Sequence, residues 1–320
     1  MPISKIVLNS CVKNTNLKIT DPNGQQKDSA NATTEANNPN NSSIDILDTL
    51  STEDAKIIEI VNETKSKLNK GLYKKGKNLT VEEIFDNNVD GYELKTMNYD
   101  GKNYIACIPK GLNKNEEVPL VVHFHGQMKN GDKTKDLRTS GIGQALKELG
   151  NSEYKKFNGI FLIPQTDGSW ATDRNVEYMD GLIEEFVNNS GYNINTDKIA
   201  LSGHSMGTRG IINYYQKSKY QSMFSAIALE SVTFPEDVEK LKDIQIPTTI
   251  YTGHSDGQNC KESANKAEEM IKNGELENVT SVWIDATHNN IQHEIICGQE
   301  KDEVDSNNNN IPDFFENMWS

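Results

Sequence analysis

Gly203-His204-Ser205-Met206-Gly207 decides how the rest of the chain is read. It follows the apolar run Lys198-Ile199-Ala200-Leu201-Ser202 and precedes a helix-like stretch from Thr208 to Lys217, so the local order is strand, sharp turn, helix. A serine at such a turn is forced into a strained backbone conformation that lifts its Oγ above the sheet. Glycines stand at 203 and 207 because a Cβ there would strike the neighbouring strand or helix. Ser205 is therefore the candidate nucleophile.

Working outward, strands and helices alternate. Tyr92-Glu93-Leu94-Lys95-Thr96-Met97 and Asn103 to Pro109 flank an Asp100-Gly101 turn, the pattern of an antiparallel hairpin. Leu120 to Phe124 and Gly159 to Pro164 read as buried strands, with a helix from Ile142 to Leu149 between them and another from Val176 to Val187 before the elbow. Ala226 to Leu229, Thr248 to Tyr251 and Ser281 to Ile284 complete the series. A hairpin leading into such an alternation specifies an α/β fold with a mostly parallel central sheet and helices on both faces. Ligands in such sheets sit outside the carboxyl ends of the strands.

The partners of Ser205 are sought at those ends, in the order serine, acid, histidine. Asp256 follows the strand ending at Tyr251, in a turn from which a carboxylate can reach inward, and His288 follows the last strand. His288 would act as base toward Ser205 and then as acid toward the leaving alcohol, while Asp256 holds its tautomer. Glu230, ending the preceding strand, stays open as the alternative acid and His293 as the alternative base; His254 reads as a loop residue. The oxyanion hole needs two backbone N–H groups. Met206 supplies one and Gln127 the other, since Gly126 lets that backbone come close to substrate. His123 and His125, two apart on a strand, would suit a metal only with a third ligand, and the sequence places none nearby.

Composition narrows the function classes. The chain has 320 residues, enough for one large α/β domain or two smaller ones, and its net charge of -14 argues against nucleic acids or anionic membranes as partners, both of which need a basic face. No run reaches the length of a membrane span, and Ile6-Val7-Leu8 after a single lysine is too short an apolar core for a secretory signal. Compartment is thereby left open between cytoplasmic and secreted, and oligomeric state is not indicated. Cys11, Cys107, Cys260 and Cys297 show no metal-type spacing. Free thiols are favoured over a Cys260–Cys297 bridge. Residues 1–43 are rich in Asn, Thr and Ser and are expected to be disordered. From Ile44 to Leu68 apolar residues alternate with charges behind a capping signal at Ser51-Thr52-Glu53-Asp54, so 44–90 is expected to be a helical extension of the catalytic domain at 91–300.

His123-Phe124-His125-Gly126, Ile163-Pro164-Gln165 with the following Trp170, Asp180-Gly181-Leu182-Ile183, the run Asn193 to Lys198 and the elbow itself together resemble the serial motifs of the polyhydroxybutyrate depolymerase and feruloyl esterase-like group of α/β-hydrolases. The resemblance covers about residues 92 to 297. It implies an α/β-hydrolase fold and a serine esterase with the triad Ser205, Asp256 and His288, needing no cofactor for catalysis. One departure is Thr208, where such esterases often carry a third glycine.

Only Glu230 to Ile246 separates two strands where many hydrolases insert a cap, so no cap domain is expected and the site should be an open cleft, with Trp170 as its aromatic wall, core packing being the alternative for that ring, and His125 beside the substrate. Short-chain or carbohydrate-linked esters, as small molecules or on a polysaccharide, are the expected substrates. Thioesterase, serine peptidase and non-catalytic binding protein are the alternatives.

A second feature lies in the tail at 301–320. Asp305, Asn307, Asn309, Asp313 and Glu316 place oxygens at positions 1, 3, 5, 9 and 12 of a twelve-residue loop, with the Ile311 carbonyl at position 7. The loop resembles the calcium-binding repeats of thrombospondin type 3 and related bacterial extracellular modules, which implies a structural Ca²⁺. Asn310 replaces the usual glycine, and asparagine tolerates left-handed backbone.

Overall fold

The computed structural model describes residues 85–86, 91–128, 137–139, 141–166, 168–298, 304–309 and 311–319. The expected disordered segment and the amphipathic stretch from Ile44 to Leu68 lie outside these residues. Within 44–90, expected to be helical, the described Phe85–Asp86 is instead a strand that pairs antiparallel with Lys156–Phe157.

Eight strands form the main sheet. They are β1 (Tyr92–Tyr99), β2 (Lys102–Pro109), β3 (Glu117–Phe124), β4 (Ile160–Pro164), β5 (Asn193–His204), β6 (Phe224–Glu230), β7 (Thr248–Ser255) and β8 (Val279–Thr287). Their spatial order is β1-β2-β4-β3-β5-β6-β7-β8. Only β2 runs against its neighbours, pairing antiparallel with β1 and β4, while every other pairing is parallel. This is the α/β-hydrolase order. The β1–β2 turn puts Asp100 and Gly101 at φ 48° and 74°, as a two-residue turn matched to strand twist requires.

The helices that accompany the sheet include α1 (Gly141–Leu149), α2 (Asp173–Asn189), α3 (Met206–Lys217), α4 (Pro235–Val238), α5 (Gln258–Lys272), α6 (Ile291–Cys297) and α7 (Asp313–Trp319). The period-two alternation of β3 shows how they divide. Leu120, Val122 and Phe124 enter one core with Met179, Leu182 and Ile183 of α2 and Ile211 and Tyr214 of α3. Val121 points into the other, with Ile142 and Leu146 of α1, Ile291 and Ile295 of α6 and Phe314 and Phe315 of α7. Both faces are covered, which is why the central strands read as continuous apolar runs rather than alternating ones. Asp180 ties α2 to α3 by accepting hydrogen bonds from the Tyr214 hydroxyl at 2.9 Å and the Ser218 hydroxyl at 2.6 Å.

The end of the chain is part of this core. Phe315 is fully buried and its ring stacks on Phe157 with centroids 4.8 Å apart, while Trp319 stacks on the same ring at 5.2 Å. The tail expected to stand outside the catalytic domain at 301–320 thus closes one of its faces. Phe315→Ala should cost about 3–5 kcal/mol, since the cavity between Phe157 and Phe161 cannot refill. Urea denaturation of the two proteins measures the difference.

Candidate active site

Ser205 is the turn between β5 and α3, held at φ 53°. For a non-glycine residue that conformation is strained, and close packing on both sides maintains it. A Cβ on Gly207 would collide with the Phe124 carbonyl oxygen, and one on Gly203 would lie 2.7 Å from Ile211 Cδ1. The end of β3 therefore meets the first turn of α3 backbone to backbone. Thr208, at the position where a third glycine was expected, is fully buried and its hydroxyl donates to the Ser205 carbonyl at 2.7 Å.

The ends of β5, β7 and β8 bring three side chains into one hydrogen-bonded chain. His288 Nε2 lies 3.0 Å from Ser205 Oγ, and His288 Nδ1 lies 2.8 Å from Asp256 Oδ1. Asp256 is buried and also accepts from the Gly257 N–H at 2.7 Å and the Ser231 hydroxyl at 2.5 Å. Burial alone would push its carboxyl up, but hydrogen bonds from His288, Ser231 and Gly257 hold it well below the usual carboxylate range. With both oxygens engaged by donors, Asp256 is an anion that orients the imidazole with Nδ1 as its donor.

The alternatives occupy other places. Glu230 touches neither His288 nor Ser205 with its side chain: its Oε1 accepts from Ser202 at 2.7 Å and its Oε2 from Gln292 at 3.0 Å. His293 pairs on α6 with Glu148 at 2.5 Å and Glu294 at 3.1 Å, and the exposed His254 stacks on Trp283. Cys107, Cys260 and Cys297 are free thiols. Cys260 Sγ approaches His288 Nδ1 at 3.7 Å, whereas Cys297 faces the Ala145 carbonyl on α1. Burial, then the Asp256 charge, pushes the Cys260 thiol up to about 12, so it is a neutral wall of the site.

Met206 opens α3, and Gln127 lies just beyond the end of β3. Neither backbone N–H has a hydrogen-bond partner among the described residues, so both remain available to an oxygen on the substrate. His125 lines the adjoining cavity, with Nδ1 2.6 Å from the Gly126 carbonyl and Nε2 accepting the Thr166 N–H at 3.2 Å. Both ring nitrogens are thereby engaged, which disposes of metal ligation by His125 in this arrangement. Trp170 requires a correction. It is only 1 % exposed, packed on Phe124 and against Gly210, with its indole N–H donating to the His125 carbonyl at 2.9 Å. An aromatic ring that follows a strand end can fill the crevice beneath it as readily as the cleft above, and here it supports the β3 loop from below.

Two residues that sequence reasoning passed over complete the surroundings. Ser231, at φ 56°, aims its hydroxyl at Asp256, and Thr233 Oγ1 lies 3.3 Å from Ser205 Oγ. Their loop is pinned to α3, where Arg209 binds Asp237 at 2.6 Å and Glu236 at 2.5 Å and covers the Phe234 ring. A lone serine or threonine after a strand carries no periodic signal. The left-handed turn at Ser231 is visible only in three dimensions.

No family model and no curated protein matches the sequence. Among solved structures the chain is similar to the mutant feruloyl esterase module from Clostridium thermocellum complexed with sinapinate (13% identity, 70% of this chain and 92% of that one, TM-score 0.45). It is also similar to a Pyrobaculum calidifontis esterase (14% identity, 80% and 92%, TM-score 0.44) and to a thermostable esterase (17% identity, TM-score 0.39). The likeness to the last takes in 61% of this chain and spans 55% of the other's length. These are likenesses of chain architecture, and the fold is read from the strand order itself.

Glu230 yields a test of the buried polar layer under the elbow. Burial pushes its carboxyl from 4.5 up to about 7, against the hydrogen bonds from Ser202 and Gln292. The fold therefore binds this proton more tightly than the unfolded chain does. The resulting stabilisation is complete below about pH 4.5 and is lost as pH rises through 7, a swing on the order of 3 kcal/mol. Glu230→Gln should flatten the change in melting temperature between pH 5 and pH 8 relative to the parent protein.

Proposed function

We propose that the protein is a serine esterase that hydrolyses carboxylic esters through an acyl-enzyme. The observation that carries this reading is the continuous chain Ser205–His288–Asp256 beside two unengaged N–H groups. His288 Nε2 takes the Ser205 proton as Oγ attacks the ester carbonyl, and the carbonyl oxygen gathers negative charge against the Met206 and Gln127 N–H groups. Collapse expels the alcohol, which leaves with the proton from Nε2. Water then repeats the sequence on the acyl-Ser205 ester and releases the acid. Asp256 stays ionised throughout, stabilising the imidazolium.

Short-chain esters, or esters borne on a carbohydrate, suit the site best. The connection from β6 to β7 carries only α4 and a 3-10 turn at Glu239–Asp243, and Arg209 holds it down against α3. A cleft with such a low rim covers little of a long acyl chain, so it gains little from each added methylene. Ser205→Ala should lower kcat/KM for 4-nitrophenyl acetate by about a thousandfold or more with an unchanged melting temperature. Asp256→Asn should lower it by roughly a thousandfold and Glu230→Gln far less; the reverse order would move the acid to Glu230. A fluorophosphonate probe should label Ser205, which a non-catalytic binding protein of the same fold would not permit.

For the tail we infer a structural Ca²⁺ held by Asp305, Asn307, Asn309, the Ile311 carbonyl, Asp313 and Glu316. Asn310 lies outside the described residues. The fit is good. Asn307 Nδ2 and Asn309 Nδ2 donate to the two Glu316 oxygens at 2.7 and 2.6 Å, so these side chains already converge, and Asp305 is 2 % exposed. Rotating each amide by half a turn would present its oxygen to a cation instead. Millimolar Ca²⁺ should raise the melting temperature, and Asp305→Ala with Glu316→Ala should abolish the shift while sparing ester hydrolysis.

A further inference from the structure

Beside the elbow lies a cavity of about 180 Å³, bounded by His123, Gly126, Gln127, His204, Asn289 and Gln292 among others. It adjoins both the Gln127 N–H and the residue after His288, so a group of a bound ester can enter it while the carbonyl sits on Ser205.

The hydrogen bonds around it determine which atoms face a ligand. Glu230 is a carboxylate above pH 7, and its Oε1 accepts the Ser202 hydroxyl at 2.7 Å. Ser202 Oγ must then accept from His123 Nδ1, 2.8 Å away, which leaves His123 Nε2 an acceptor for the Gln292 amide at 2.9 Å. The second amide hydrogen of Gln292 goes to Glu230 Oε2 at 3.0 Å. Gln292 Oε1 consequently has no donor, and it points at Gly141, where a Cβ would strike it. His204 Nε2 donates to the His288 carbonyl at 2.8 Å, so its Nδ1 is also a bare acceptor, 2.7 Å from where a Gly126 Cβ would stand. Burial, with the nearby His288, holds His204 down to about 4, so the ring stays neutral.

The cavity thus offers two unpaired acceptors, on the buried Gln292 and the partly buried His204, with the one carboxylate behind it already saturated by its own donors. A ligand group must bring hydrogen-bond donors. An anion would face lone pairs, and an ammonium would lie in a low-dielectric site without a free counter-charge. A neutral hydroxyl donates to one of these acceptors at no such cost, and a second hydroxyl or a water satisfies the other. Resting on the esterase reading, we propose that this cavity is a specificity subsite for a hydroxyl-bearing group next to the reacting ester, recognised by His204 Nδ1 and Gln292 Oε1.

The test compares matched esters at pH 8 with the full chain. One arm sets 4-nitrophenyl lactate against 4-nitrophenyl propionate, placing the hydroxyl on the acyl side. The other sets glycerol monoacetate against propyl acetate, placing it on the alcohol side. After correction for the uncatalysed rates, kcat/KM should favour the hydroxylated member by about tenfold or more in one arm, the gain expected of a buried hydrogen bond. Gln292→Met and His204→Phe should each pull that ratio toward one. A parent ratio near one in both arms, with Ser205 still labelled by fluorophosphonate, overturns the subsite and leaves the esterase standing. Failure of the labelling overturns both. Should either variant not fold, the parent ratios still decide.

Discussion

Much of the structure depends on the backbone contact between the carbonyl of Phe124 and the α carbon of Gly207. With no side chain at 207, the first turn of α3 can lie directly on the end of β3. That contact confines Ser205 to its left-handed turn, and beside it Trp170 packs on Phe124 and against Gly210. Strain at one residue is sustained by packing distributed over two strands and a helix.

Below this turn the protein buries a polar layer where a hydrocarbon core would be expected. Glu230, Ser202, His123 and Gln292 form a ring of hydrogen bonds that leaves only Gln292 Oε1 facing outward, and the Glu230 backbone carbonyl accepts the Ser205 N–H at 2.9 Å. A fully connected network of this kind specifies one arrangement, because displacing any member leaves a buried polar atom unpaired. Its cost is a carboxyl that ionises only with difficulty. Two carboxylates therefore stand at neighbouring strand ends in opposite conditions. Asp256 is surrounded by donors and held well below the usual carboxylate range, while Glu230 is shut away and its carboxyl is pushed up to about 7.

That contrast marks where the sequence stopped being informative. The sheet was legible because each central strand is an apolar run and each surface helix has one apolar face, and the elbow was legible because its glycines and serine answer to backbone constraints that few other residues meet. Asp256 and Glu230 were not separable, since both follow an apolar run and the direction in which each side chain points depends on where the chain turns. Trp170 was misplaced for the same reason. Helix α7 was hidden by its setting: the asparagine-rich stretch before it reads as solvated tail, and Phe314, Phe315 and Trp319 become core residues only once the ring of Phe157 is there to receive them.

The three linked side chains do not share equal mechanical security. Ser205 and Asp256 end strands flanked on both sides, β5 between β3 and β6, and β7 between β6 and β8. His288 ends β8, which has a single neighbour and forms the margin of the sheet. Margins of sheets open at lower free energy than their centres. The imidazole is tethered mainly through the adjoining helix α6, which packs on α1, so that helix pair acts as a clasp on the outermost strand. Loosening it would part His288 from a Ser205 still held in its turn. The proposed activity would then fall silent by fraying at one border while the interior remained intact.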